Sequence, residues 1–266
     1  MPNFETAPIV GLSASRYENP DDPRYHAALA MIEGYQRSGL PIIIVDGSNE
    51  HWVSDSFKLL GADDIQAPEH GLAASYMHGI EYALKNGAKR IMHHEPEKDM
   101  ARHATVINDA LDEYPIVIIG RTERAMNTLP STQQKTETLA GKILGENIGF
   151  PADSFSGGRA YTNTGAQYFL DYNPDAKGKT WMLGYETIVR AMRDDVPIGG
   201  VLVDLLHPKA MTQQEQGNPD WDAKRYMQFH TLVPAILAEA GVEYTPRKDI
   251  SNEKTAEIID AIMSLL

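Results

Sequence analysis

Arg90-Ile91-Met92-His93-His94-Glu95-Pro96-Glu97-Lys98-Asp99 sets an apolar run directly against an acidic cluster. Residues 90–94 read as a buried strand, and the acids follow at its carboxyl end. Upstream, residues 71–86 form a helix rich in small residues and stopped by Gly87. Before it come a short edge strand at 65–67 and a helix at 51–60 ended by Gly61. The β-branched run Pro41-Ile42-Ile43-Ile44-Val45 is a fully buried strand of the parallel type, closed by Asp46-Gly47-Ser48-Asn49. The chain begins with a strand at 7–13, a polar loop at 15–23 and a helix at 25–38. Downstream lie a helix at 101–111 and the strand 115–120, which ends at Arg121. This alternation predicts an α/β fold, a mostly parallel sheet with helices on both faces.

The second half is less regular. Helices are expected at 133–145 and 185–193, and a strand at 197–206 leads to His207-Pro208. Ser156-Gly157-Gly158-Arg159, within 155–161, reads as a tight backbone passage. Residues 211–220 are polar and read as a flexible loop. A long helix at 222–240 and an amphipathic helix at 255–266 form a helical tail.

The 266 residues suffice for one such domain with a full core, and 42% of them are hydrophobic. There is no cysteine, which removes disulfides, zinc–thiolate sites and thiol nucleophiles and fits a reducing cytoplasm. The net charge of -13 disfavours nucleic acid and anionic lipid as partners. The N-terminus lacks the basic and apolar regions of a signal peptide. No apolar run approaches the roughly 20 residues that a membrane span needs.

In an open parallel sheet, ligands bind beyond the carboxyl ends of the strands. Four predicted strands end there in polar groups: Ser13 to Glu18, Asp46, Glu95 to Asp99, and Arg121. Glu95 and Glu97 alternate around Pro96, so in an extended segment both carboxylates face one side, and such oxygens suit magnesium or manganese. The same acids also suit a helix start, with Asp99 as its cap. Asp46 fits either a ribose contact or a plain Asp-Gly turn. Neither G-x-G-x-x-G nor G-x-x-x-x-G-K-[ST] occurs. Arg121, Arg124, Lys135 and Arg159 are basic groups in an acidic chain, suited to a diphosphate leaving group. His207 is a candidate imidazole ligand. Glu186 is a candidate general base or acceptor contact. Of His93 and His94, one faces the core and the other the cleft.

In this order the motifs resemble the GT-A glycosyltransferases of the family 2-like, dolichol-phosphate mannose synthase type. Val45-Asp46-Gly47-Ser48 is similar to that family's second-strand motif, and Glu18 falls where its first-strand loop contacts nucleotide. Gly71-Leu72-Ala73-Ala74-Ser75-Tyr76-Met77-His78-Gly79 looks like its glycine-rich helix. Ile118-Ile119-Gly120-Arg121 and Ser156-Gly157-Gly158-Arg159-Ala160 are similar to later segments. The resemblance implies one GT-A-like domain over 1–266: a nucleotide-binding half (7–125), an acceptor half (126–210), then the loop and C-terminal helices (211–266). It implies sugar transfer from a GDP- or UDP-sugar, and the lack of a membrane span in the sequence favours a soluble small-molecule or glycan acceptor over the lipid that this branch uses, with self-association into a homo-oligomer left open. It implies Ser13, Glu18, Asp46, Gly71, Lys135 and Arg159 at the donor, Glu95, Glu97, Asp99 and His207 on Mg2+ or Mn2+, and Arg121 and Glu186 in catalysis. The family's D-x-D here reads Glu95-Pro96-Glu97. A sugar-phosphate nucleotidyltransferase and a non-catalytic nucleotide-sugar binder are the rival functions.

Overall fold

The computed structural model describes residues 4–67, 71–150, 153–173 and 182–243. In chain order the elements are β1 (Val10–Ser15), α1 (Pro23–Arg37), β2 (Ile42–Asp46), α2 (His51–Leu59), β3 (Asp63–Gln66), α3 (Gly71–Lys85) and β4 (Arg90–His93). Then follow α4 (Ala104–Ala110), β5 (Ile116–Arg121), α5 (Glu123–Met126), α6 (Ser131–Ile148), β6 (Gly158–Thr162) and α7 (Asn163–Leu170). The last are α8 (Leu183–Arg193), β7 (Ile198–Val203), α9 (Lys209–Glu215) and α10 (Pro219–Glu239).

The seven strands form one sheet in the order β3-β2-β1-β4-β6-β5-β7. All neighbours are parallel except β6, which runs antiparallel to both β4 and β5. The expected mostly parallel α/β sheet is therefore found. Its apolar runs are continuous because both faces are covered. Successive side chains alternate between faces: Ile43 and Val45 join the core under α3, α6, α7, α8 and α10, while Ile42 and Ile44 join the core under α1, α2 and α4. Ile116 and Ile118 divide from Val117 and Ile119 in the same way.

Two expectations change. The tight passage at 155–161 contains a strand, β6, inserted between β4 and β5. The chain enters it through a short 3-10 turn flanked by Asp153 (φ 53) and Gly157 (φ 79). Residues 211–220 are not a flexible loop. They hold most of α9 and the start of α10. Pro208 immediately precedes α9, and Pro219 opens α10 behind an Asn218 cap that accepts from the Asp220 N–H at 3.1 Å. Met211 and Glu215, four residues apart, both face inward and are buried. The helix expected at 255–266 lies outside the described residues. α7 was not read from the sequence. It packs so closely that a Cβ on Gly165 would lie 2.1 Å from the Pro115 carbonyl oxygen. Among the described residues no helix is long and apolar enough to cross a membrane.

Candidate functional site at the carboxyl edge of the sheet

Because β1, β2, β4, β5 and β7 are parallel, their carboxyl ends share one edge, and β6 starts from it. A groove runs along this edge. Over β2 and β3 it is a cavity of about 560 Å³ bordered by Gly47, Asn49, Gln66, Gly71 and Ser75. Through Ala14, Ser15, Arg16 and Leu72 it continues into a cavity of about 380 Å³. Six cationic side chains (Arg16, Arg24, Lys98, Arg121, Lys224 and Arg225) and four acidic ones (Asp22, Glu95, Glu97 and Glu215) border this second cavity. Arg16 and Arg121 are paired with carboxylates outside this lining, which leaves Arg24, Lys98, Lys224 and Arg225 as the cations an anion would meet there. A third space of about 150 Å³ lies beside it, bordered by Tyr76, His93, Phe155, Arg159 and Tyr185.

The acidic segment is not extended. The Lys98 N–H donates to the Glu95 carbonyl at 3.1 Å, closing a β-turn with Pro96 at its second position. Proline favours that position because its ring presets φ. The turn joins its first and fourth residues, so Lys98 Nζ pairs with Glu95 Oε2 at 2.7 Å and also donates to the Ser156 carbonyl. Desolvation raises the Glu95 carboxyl, but the Lys98 charge and hydrogen bond outweigh it and hold the group down at about 2. Desolvation and then the Glu95 charge push Glu97 up to about 7. In the unfolded chain Glu97 takes the ordinary value of 4.5. Between these values the folded protein binds the extra proton, so the Glu97 contribution to stability falls as pH rises from about 4.5 through about 7, against the rise supplied by the lowered imidazoles of His94 and His207. Glu97→Gln is expected to remove that falling contribution, so that its stability relative to the wild type grows across this range and exceeds it by about 1–3 kcal/mol at about pH 8. Urea unfolding at several pH values measures this, and parallel curves for the two proteins would contradict it.

Asp99 does not cap a helix. The 3-10 turn at Ala101–His103 that leads into α4 has no side-chain cap. The Asp99 carboxylate lies against Gly34 of α1, where a Cβ would meet Oδ1 at 2.8 Å, and it does not border the cavities described. His207 borders the central cavity, and burial lowers its imidazole to about 4, so it is neutral, with Nε2 buried and without a partner. A hard divalent ion needs several donors around one point. Among the described residues no three His, Asp or Glu side chains are so arranged. The expected set of Glu95, Glu97, Asp99 and His207 therefore does not assemble as one ligand set. Asp99 faces α1, and an ammonium sits on Glu95.

The other sequence candidates fall in different places. Arg121 borders the central cavity, but its guanidinium is buried between Glu137 and Asp153, with Nη2 bonded to Glu137 Oε2 and, at 2.5 Å, to Asp153 Oδ1. Arg159 is buried beside the smallest space, with its guanidinium 5.6 Å from the Tyr185 ring centroid. Gly71 borders the cavity over β2 and β3. Ser13 is fully buried and donates to the His94 carbonyl at 2.8 Å. Asp46 closes the turn after β2, accepting from Ser48 N at 3.0 Å and Ser48 Oγ at 2.6 Å. Glu18 is exposed and paired with Arg16 at 3.2 Å, and Lys135 is exposed on α6. None of Ser13, Glu18, Asp46, Lys135 and Glu186 borders the three spaces. His93 borders the smallest space, and His94 lies in the opposite core with Tyr35 Oη at 2.6 Å from its Nε2.

The sequence reading missed Arg24, Glu215, Lys224 and Arg225. Glu215 is 1% exposed and is bonded to Arg24 from α1 and, at 3.3 Å, to Arg225 from α10. The Arg24 guanidinium and the Lys224 ammonium each lie 4.4 Å from the Trp221 ring centroid. The available signal was the Trp221-x-x-Lys224-Arg225 spacing, which puts all three on one side of a helix.

No protein-family model matches the sequence, and no curated protein matches it. Solved structures do. Glucosyl-3-phosphoglycerate synthase from Mycobacterium tuberculosis, in complex with Mn2+, UDP-glucose and phosphoglyceric acid, superposes with a TM-score of 0.57 at 10% identity, covering 89% of this chain and 81% of that one. The same enzyme with Mn2+, UDP and glucosyl-3-phosphoglycerate gives 0.55 at 9% identity, again over 89% and 81%. A further mycobacterial protein gives 0.57 at 10% identity over 89% and 76%. At this identity the likeness is one of architecture: the chain has a mixed α/β, GT-A-like fold, with a seven-stranded, mostly parallel sheet.

Proposed function

We propose that this protein transfers a sugar from a nucleoside-diphosphate sugar to a small polar or glycan acceptor. The observation that carries this is the groove at the carboxyl edge, where an open, weakly charged section over β2 and β3 leads into a cavity rich in cations. The nucleoside would lie along Gly47, Asn49, Gln66 and Gly71, and the diphosphate would meet Arg24, Lys98, Lys224 and Arg225. Arg121, its charge matched by Glu137 and Asp153, would act as a fixed part of the wall near the leaving group. The space beside Arg159 and Tyr185 would take the acceptor. The motif order from Val45 to Arg121 supports a GDP- or UDP-sugar, as in family 2-like enzymes. Ser13 and Asp46 would act from beneath the groove by fixing the turns that shape it.

Isothermal titration with UDP and GDP, with and without Mn2+ or Mg2+, tests the donor. Binding of at least one nucleotide is expected, and no binding in any arm sinks the proposal. Incubation with the matching nucleotide sugar then separates the rivals. A transferase releases sugar to acceptor or water, a nucleotidyltransferase turns over only with pyrophosphate, and a binder does neither.

A further inference from the structure

We propose that Lys98 is the built-in cation of the acidic turn: seated on Glu95, its ammonium takes a phosphate oxygen of the donor, so that nucleotide binding needs no added divalent metal. This deepens the nucleotide-sugar reading and rests on it.

The turn fixes the arrangement. With Pro96 at its second position, Glu95 and Lys98 become neighbours, and the pair closes at 2.7 Å. An ammonium has three N–H donors. Glu95 Oε2 and the Ser156 carbonyl take two, which leaves one for a ligand. Lys98 borders both the central cavity and the smallest space, although its side chain is only 13% exposed, so the charge is held in place rather than swinging in solvent. Holding it there lowers the entropy lost when a phosphate binds.

The surroundings favour an anion here over a second cation. Arg24, Lys224 and Arg225 border the same cavity. A divalent ion on Glu95 Oε2 would have to displace the ammonium, which would then lose its carboxylate partner. With Asp99 turned to Gly34 of α1, the turn offers an incoming ion fewer oxygens than its sequence suggests.

The test is titration of UDP and GDP into the full-length protein treated with EDTA, and into the same protein with Mn2+, for the wild type, Lys98→Met and Lys98→Arg. The wild type is expected to bind in EDTA with an affinity within about threefold of that in Mn2+. Lys98→Met should weaken binding by about tenfold to a hundredfold, without rescue by Mn2+, as loss of one charge-assisted hydrogen bond implies. Lys98→Arg should keep most of the affinity. Binding by the wild type only with Mn2+, or unchanged binding by Lys98→Met in EDTA, overturns the proposal. If Lys98→Met fails to fold by circular dichroism, the wild-type comparison in EDTA and Mn2+ decides alone. Absence of nucleotide binding in every arm removes the nucleotide-sugar reading itself, and this proposal with it.

Discussion

Arg121→Met is expected to destabilise the protein by about 3–5 kcal/mol, the usual cost of removing one partner from a buried ion pair. The Arg121 side chain is 2% exposed, and its two partners are nearly as buried. Removing it leaves the Glu137 and Asp153 carboxylates facing each other without a cation and without water. The loss extends to the backbone, because Asp153 sits at φ 53 and accepts from both the Arg121 N–H and its Nε. A non-glycine residue in that region is held only when its surroundings fix it. In a domain of this size the melting temperature should fall by about 10 °C. Removing the stranded charges as well, with Glu137→Gln and Asp153→Asn, should recover part of the loss. A single variant within about 0.5 kcal/mol of the wild type would show that the triad contributes nothing.

Glu215→Ala should cost about 2–4 kcal/mol in phosphate-free buffer, because one buried carboxylate holds two guanidiniums from two different helices. Arg24 and Arg225 both border the central cavity, so the variant leaves two unneutralised charges at the place proposed for the diphosphate. An anion that binds the folded protein stabilises it by mass action. Inorganic phosphate, or UDP, should therefore raise the melting temperature of Glu215→Ala more than that of the wild type. Equal shifts for the two proteins would separate the Glu215 latch from the anion site.

The groove's location was readable in the sequence because it follows from topology. Strands with helical crossovers are parallel, and parallel strands end on one edge, so Glu95, Arg121 and His207 were bound to approach one another. What each side chain does there was not readable. Glu95-Pro96-Glu97 fits an extended strand end as well as a β-turn, and only the Lys98 N–H reaching the Glu95 carbonyl decides between them. Asp46 and Ser13 have the residue types of nucleotide contacts, yet Asp46 Oδ1 is taken by Ser48 and the Ser13 hydroxyl by the His94 carbonyl. Such competition for hydrogen bonds arises only after folding.

Local pattern alone sets the α/β class, the strands β1, β2, β4 and β5, and the place of the acidic segment at the end of β4. These follow from apolar runs and glycine stops, which act over a few residues. What the folded chain alone decides is that β6 enters the sheet antiparallel between β4 and β5, that residues 211–220 hold most of α9 and the start of α10, and that the Ser156 carbonyl seats the Lys98 ammonium. Those outcomes depend on groups far apart in the chain, Ser156 with Lys98, Asp153 with Arg121 and Arg24 with Glu215, whose meeting no local pattern encodes.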